Sequence, residues 1–126
     1  MTDIAPPLIG ITIDCADPEP VAAFWEEVLG YQRRADQPHE VGGQYVTLFK
    51  PSGVPGLHHV TFQRVPEEKT VKARAHLDLF VESARPVMAA MLAAGATEVE
   101  THELGDMTTR ILLDPAGNEF CLIGPD

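Results

Sequence analysis

A histidine and an aspartate stand two residues apart in the stretch AHLDLFV, residues 75–81. Alternate side chains of a β-strand point to opposite faces, so His76 and Asp78 share one face, and the leucines that follow each of them share the other. An imidazole and a carboxylate on one face could move a proton or bind the polar groups of a small molecule. Alternatively, the two side chains only satisfy hydrogen bonds within a sheet. Both interpretations stay open from these residues alone.

Other residues with similar chemistry are spread along the chain. His58 and His59 are adjacent, so strand alternation predicts that they point to opposite faces and that at most one of them serves a site. Cys15 and Cys121 lie in separate apolar runs without the paired spacing of a zinc site, which predicts two reduced thiols. No basic residue adjoins Cys121 to lower its pKa, so a core-lining thiol is favoured over a nucleophile. His102, in the polar stretch THELGD, is expected to be exposed.

The composition excludes several classes of function. A chain of 126 residues is long enough for one domain that buries its own core. Its formal charge of −10, from 19 acidic and 9 basic residues, would repel a phosphate backbone, so nucleic acid is not an expected partner. No segment approaches the roughly 20 apolar residues of a membrane span, and no signal-peptide pattern opens the sequence. We therefore expect a cytoplasmic protein that does not enter a membrane.

The elements that must position these residues recur along the chain. The alternating strand IGITID leads to a helix start at Asp17 and Pro18, then to the amphipathic helix PVAAFWEEVL and a terminal Gly30. The second half repeats this order, with AHLDLFV as the strand, Ser83 as the cap, RPVMAAMLAA as the helix and Gly95 as its end. Two segments of the same plan are therefore predicted.

The turns of the two halves also match. LFKPSG and LLDPAG both read as a strand end followed by a Pro-x-Gly turn, and each leads to a further apolar strand. Caps and turn glycines that recur in step over about sixty residues are not expected by accident. We predict an α+β fold of two β-α-β-β-β modules, about residues 8–65 and 74–124, within a single domain of residues 1–126.

A resemblance to the vicinal oxygen chelate superfamily is carried by DPEPVAAFWEEVLGY, HLDL and LLDPAGNEFCL. That superfamily includes glyoxalase I, extradiol dioxygenases and bleomycin-resistance proteins, and FQRVPEEKTVKARAHLDLFV looks like its small bacterial glyoxalase-like proteins. The resemblance covers nearly the whole chain, and its motifs are specific for the superfamily but weak for the reaction. It implies a cup-shaped, curled mixed sheet with the helices outside, polar strand faces that line the cup, and a homodimer.

In metal-dependent members of this superfamily, four ligands come from the first and last strands of each module and are usually histidines and glutamates. The resemblance places Gly10, Gln63, His76 and Cys121 at these positions. A glycine offers no side chain, a glutamine is a neutral donor and a cysteine must ionise, so this set suits a hard divalent metal poorly. If a metal is bound, Gln63, His76 and Cys121 are its ligands, and His59 lies on the strand face of Gln63 as a further donor.

Two classes of function therefore stay open. The first is a small-molecule-binding protein with a degenerate metal site, as in resistance or sequestration. The second is a metal-dependent lyase, isomerase or dioxygenase that acts on a small oxygenated substrate. We predict that the ligand-binding residues share one concave surface and are His59, Gln63, His76, Asp78 and Cys121. The residues predicted beneath the helices are Ile11, Ile13, Phe62, Leu77, Leu79 and Phe120.

Overall fold

A computed structural model describes residues 5–34 and 43–126, which fall into two compact units, residues 1–65 and 66–126. The first unit contains β1 (Gly10–Cys15), α1 (Pro18–Leu29), β2 (Tyr45–Phe49) and β3 (His59–Arg64). The second contains β4 (Leu77–Phe80), α2 (Ala84–Ala94), β5 (Thr97–Leu104), β6 (Met107–Leu113) and β7 (Glu119–Gly124). The predicted α+β class is confirmed. The strand predicted between α1 and β2 falls largely outside the described residues.

Helix α1 begins and ends where its sequence predicts. The Asp17 carboxylate accepts a hydrogen bond from the backbone N–H of Glu19 at 3.4 Å, and Pro18 occupies the first helical position. Gly30 ends the helix with φ of 71°, a left-handed conformation that favours glycine. The buried face includes Trp25, and the helix packs against β2 and β3.

The first sheet has the strand order β1-β3-β2, with β1 parallel and β2 antiparallel to β3. Gly10 lies opposite His59 in this register, and Asp14 lies opposite Gln63. The alternate residues of β2 and β3 are buried beneath α1 and comprise Val46, Leu48, Val60 and Phe62. His59 and Gln63 therefore project from the opposite face of the sheet, away from the helix.

The second sheet has the order β4-β7-β6-β5, in which β4 is parallel to β7 and the other pairs are antiparallel. Its fully buried residues are Leu112, Phe120 and Leu122, while Leu77 and Leu79 are half-buried. Helix α2 contributes Met88 and Met91 to the core. Leu92, an apolar residue of the same helix, is exposed.

Candidate functional site

The second unit brings His76, Asp78 and Cys121 together. His76 Nε2 lies 3.2 Å from Asp78 Oδ1, and one ligand atom from each of the three residues lies within 4.8 Å of the others. The His76 and Asp78 side chains are 36% and 47% exposed, whereas Cys121 is 8% exposed. The cluster therefore joins a reachable imidazole and carboxylate to a covered thiol.

The strand register explains this grouping. Asp78 is the direct partner of Cys121 in the parallel pair of β4 and β7, so the two side chains leave the sheet on the same face. The neighbouring pair, Leu77 and Phe120, points to the other face and toward the core. His76 immediately precedes β4 and reaches Asp78 along the strand. Alternation in the sequence thus predicted the shared face of His76 and Asp78, and the parallel pairing adds Cys121.

Glu119 fixes the chain segment that leads into the cluster. Its carboxylate accepts hydrogen bonds from Lys69 Nζ at 2.7 Å and from the backbone N–H of Ala73 at 2.9 Å. Burial by itself would raise the pKa of Glu119. These two hydrogen bonds, a further one from the backbone of Glu119 and the positive charge of Lys69 together outweigh burial and hold the pKa below its usual value. The start of β7 is thereby tied to the segment just before His76.

The Cys121 thiol is electrostatically disfavoured from ionising. Burial raises its pKa, and the negative charge and hydrogen bonding of Asp78 raise the pKa further, against a smaller opposing effect from Lys72. A thiol that stays protonated at neutral pH is a poor nucleophile. This agrees with the sequence-based preference for a core-lining thiol, and it means that metal binding would have to displace the proton.

In the first unit, the side chain of His59 occupies the space next to Gly10. A Cβ atom built on Gly10 would overlap the His59 ring at Nε2, Cε1 and Cδ2. The position that the superfamily comparison assigned to a ligand histidine therefore has an imidazole beside it, supplied by the neighbouring strand. Gln63, also on β3, is bonded through its side-chain nitrogen to the Tyr45 hydroxyl at 3.3 Å.

The prediction that His58 and His59 point to opposite faces is wrong. Their Nδ1 atoms are 2.8 Å apart, and their ring centroids are separated by 5.1 Å. Strand alternation does not apply to this pair because β3 begins at His59 and His58 belongs to the preceding bend. Adjacent side chains at the start of a strand can therefore meet.

Sequence reasoning missed three polar residues on the same sheet face as Gln63. Tyr45 contacts Gln63 as described, and Thr47 and Thr61 share a hydrogen bond of 2.9 Å between their hydroxyl oxygens. The alternation of YVTLF, with Val46 and Leu48 buried, was the available signal, because it predicts that the residues between them face away from the helix. The first unit therefore presents a polar sheet face.

The donor set of the second unit determines which metal it could hold. His76, Asp78 and Cys121 offer nitrogen, oxygen and sulfur, a mixture that suits Zn²⁺, whereas Ca²⁺ and Mg²⁺ prefer oxygen ligands. A tetrahedral zinc ion requires donor atoms roughly 3.3–3.8 Å apart. The three ligand atoms lie within 4.8 Å of one another, and the chemical type of these atoms makes zinc the ion that these residues would hold. Gln63, the other ligand that the resemblance assigned, belongs to the first unit.

Comparison with known proteins identifies the family. The sequence matches the family model for a glyoxalase-like domain over residues 10–123, so the chain belongs to the glyoxalase-like family within the vicinal oxygen chelate superfamily. A search of curated proteins gives no significant match. Among the described residues, no helix is long and apolar enough to cross a membrane.

Solved structures share this fold at low sequence identity. A glyoxalase/bleomycin resistance protein/dioxygenase family enzyme from Burkholderia phytofirmans PsJN is 20% identical, with a TM-score of 0.71 over 94% of this chain and 98% of that one. A lactoylglutathione lyase from Agrobacterium tumefaciens is 15% identical, with a TM-score of 0.62 over 95% of this chain and 96% of that one. At these identities the likeness establishes the fold, and the chemistry must come from the residues of this chain.

Proposed function

We propose that this glyoxalase-like protein binds a small oxygenated molecule through His76 and Asp78 without a catalytic metal. The observation that carries the proposal is the state of the superfamily's ligand positions in this chain. Position 10 is a glycine, and the pKa of Cys121 is raised by burial and by Asp78. These two positions lack the ionised or imidazole donors of a metal enzyme, whereas the exposed His76 and Asp78 remain reachable by a ligand.

The His76–Asp78 pair suits recognition of hydroxyl and carbonyl groups. An imidazole held beside a carboxylate offers one ring nitrogen to that carboxylate and the other to a ligand, and the carboxylate accepts hydrogen bonds from a ligand hydroxyl. The net charge of −10 favours neutral or cationic ligands over anionic ones. We therefore expect a neutral or cationic compound with adjacent oxygen functions.

Ligand binding is tested by thermal unfolding and calorimetry with dihydroxyacetone, catechol, S-lactoylglutathione and bleomycin. His76→Ala should weaken binding of a responding compound roughly tenfold, the scale for one lost hydrogen bond to a charged or buried group. The matched control is His102→Ala, because His102 is also an exposed imidazole paired with a carboxylate, Glu100, at 2.8 Å. Equal affinities of the two variants for every compound would contradict the proposed role of His76.

A metal-dependent lyase, isomerase or dioxygenase is the second candidate, and the convergence of His76, Asp78 and Cys121 favours it. A zinc ion held by these residues would act as a Lewis acid toward a substrate oxygen. Elemental analysis of protein purified without added metal separates the candidates. Stoichiometric zinc, iron, nickel or manganese that is lost in Cys121→Ala would support the enzyme, and substoichiometric metal would support the binding protein.

We further propose a cytoplasmic homodimer. Phe80 supports an interface on the second sheet, because it is 71% exposed on the same strand face as Asp78. Covering an exposed aromatic ring with a partner removes apolar surface from water and stabilises the complex. Light scattering at micromolar concentration tests the dimer, with Phe80→Ser expected to shift the population toward monomer. A monomeric wild-type protein under these conditions would refute it.

A further inference from the structure

The His58–His59 pair is not accounted for by a site built on His76 and Asp78. The two Nδ1 atoms approach to 2.8 Å, a distance typical of a hydrogen bond. The Phe49 ring lies against both imidazoles, with centroid separations of 5.8 Å to His58 and 6.0 Å to His59. The backbone N–H of His58 donates to the Ile9 carbonyl at 2.7 Å, which fixes His58 to the chain just before β1.

A hydrogen bond between two Nδ1 atoms couples the protonation of the two rings. One Nδ1 carries the proton and the other accepts it. When both rings are neutral, the donating ring keeps a lone pair at Nε2 and the accepting ring carries its proton there. The tautomer of His59 is therefore tied to that of His58.

Gly10 provides the place in which the His59 ring lies. Any Cβ at residue 10 would overlap three atoms of the ring, so every other residue type would displace His59 from its present position. Gly10 and His59 are direct partners in the parallel pairing of β1 and β3, which explains why the ring reaches this space. The missing side chain at residue 10 is therefore coupled to the position of an imidazole.

We propose that His59 is the ligand-contacting imidazole of the first unit, in the place that Gly10 leaves free, and that His58 is its positioning residue. The inference rests on the proposed function in that it assumes a small oxygenated ligand. Support comes from the polar sheet face that His59 shares with Thr61 and Gln63, where hydroxyl and amide groups accompany the ring. A ligand with a hydroxyl or carbonyl oxygen would form a hydrogen bond with His59 Nε2.

The position of the ring is tested by a double-mutant cycle that needs no ligand. Gly10→Ala should lower Tm in the wild-type background but much less in His59→Ala, because the ring that the new methyl group would meet is then absent. Thr12→Ala is the matched control, since Thr12 is a small residue on the same face of β1. Equal effects of Gly10→Ala in both backgrounds would overturn the inference.

The roles of the two histidines are tested by nuclear magnetic resonance of the imidazole nitrogens. The wild type should show complementary tautomers, with one ring protonated at Nδ1 and the other at Nε2. His58→Phe should change the tautomer distribution of His59, and His58→Asn, which retains a polar group that can bond to the ring, should change it less. Saturating catechol or dihydroxyacetone should shift the His59 Nε2 resonance without shifting that of His102. Tautomers of His58 and His59 that are not complementary in the wild type, or no shift with either compound, would overturn the inference.

Affinity separates this inference from the proposed function. His59→Asn should weaken binding of the compound that shifts His59 roughly tenfold, and His58→Phe should weaken it less. If His76→Ala impairs binding while His59→Asn does not, this inference fails and the proposed function stands. If His59→Asn alone impairs binding, the inference stands and the assignment of recognition to His76 fails.

Discussion

Alanine substitutions on opposite faces of the β4–β7 pair should separate the core from the candidate site. Leu122 of β7 is 0% exposed, so Leu122→Ala removes fully buried atoms and should cost about 2–5 kcal/mol of unfolding free energy. For a chain of this size, that cost lowers Tm by roughly 6–25 °C. The His76 side chain is 36% exposed, and its Nε2 pairs with Asp78 Oδ1 at 3.2 Å. Exposed pairs contribute about 0–1 kcal/mol, so His76→Ala should lower Tm by a few degrees at most.

Urea unfolding followed by circular dichroism measures both variants on one scale. Leu79→Ala provides an intermediate point, because Leu79 faces the core but is only half-buried. Leu122→Ala should destabilise the protein most, Leu79→Ala less and His76→Ala least. The slope of the unfolding free energy against urea concentration should be the same for all three variants. If His76→Ala destabilises as severely as Leu122→Ala, the histidine is a structural residue and its assignment to ligand recognition is mistaken.

Three further outcomes follow from the geometry. The lowered pKa of Glu119 contributes stability at pH values above its unfolded pKa, and this stability is lost as pH falls through the folded pKa. In Glu119→Gln, the free energy of unfolding should therefore depend less steeply on pH in the acid range, and an unchanged dependence would refute this. Asp78→Asn should lower the Cys121 pKa and speed its alkylation at pH 8, which peptide mass spectrometry would detect; an unchanged rate would contradict that coupling. Asp17→Ala should cost about 0.5–2 kcal/mol by urea unfolding and Ser83→Ala less, because only Asp17 makes a side-chain cap bond; equal costs would oppose this.

Local sequence signals predicted the elements that depend on neighbouring residues. Asp17 and Gly30 delimit α1 because a side-chain acceptor and a left-handed glycine satisfy helix ends whatever the tertiary context. The DPAGN turn likewise folds on itself, since the Asp114 carboxylate accepts from the backbone N–H groups of Ala116 and Asn118 at 2.9 and 3.0 Å. Alternation predicted the burial of Phe62 and Phe120 for the same local reason.

Contacts that depend on strand pairing could not be predicted in the same way. The proximity of Asp78 to Cys121 requires the parallel register of β4 and β7, which no local pattern specifies, and only the family resemblance placed both residues on one predicted surface. The adjacency of His58 and His59 depends on where β3 begins, and element boundaries are the least predictable feature of a sequence. Ser83 occupies the expected cap position yet makes no side-chain cap bond, so residue type alone did not determine the contact.

The predicted sequence repeat allows residues of the two units to be compared. Counted back from the helix caps Asp17 and Ser83, the resemblance matches Gly10 of the first unit with His76 of the second, whose side chain lies beside Asp78. In the first unit an imidazole nevertheless lies beside that position, because His59 of the paired strand covers Gly10. An imidazole supplied from β3 would not place its nitrogens where a residue-10 side chain places them. This displacement would weaken a fixed coordination geometry but leave hydrogen bonding to a ligand intact, since a hydrogen bond tolerates a wider range of positions than a metal does.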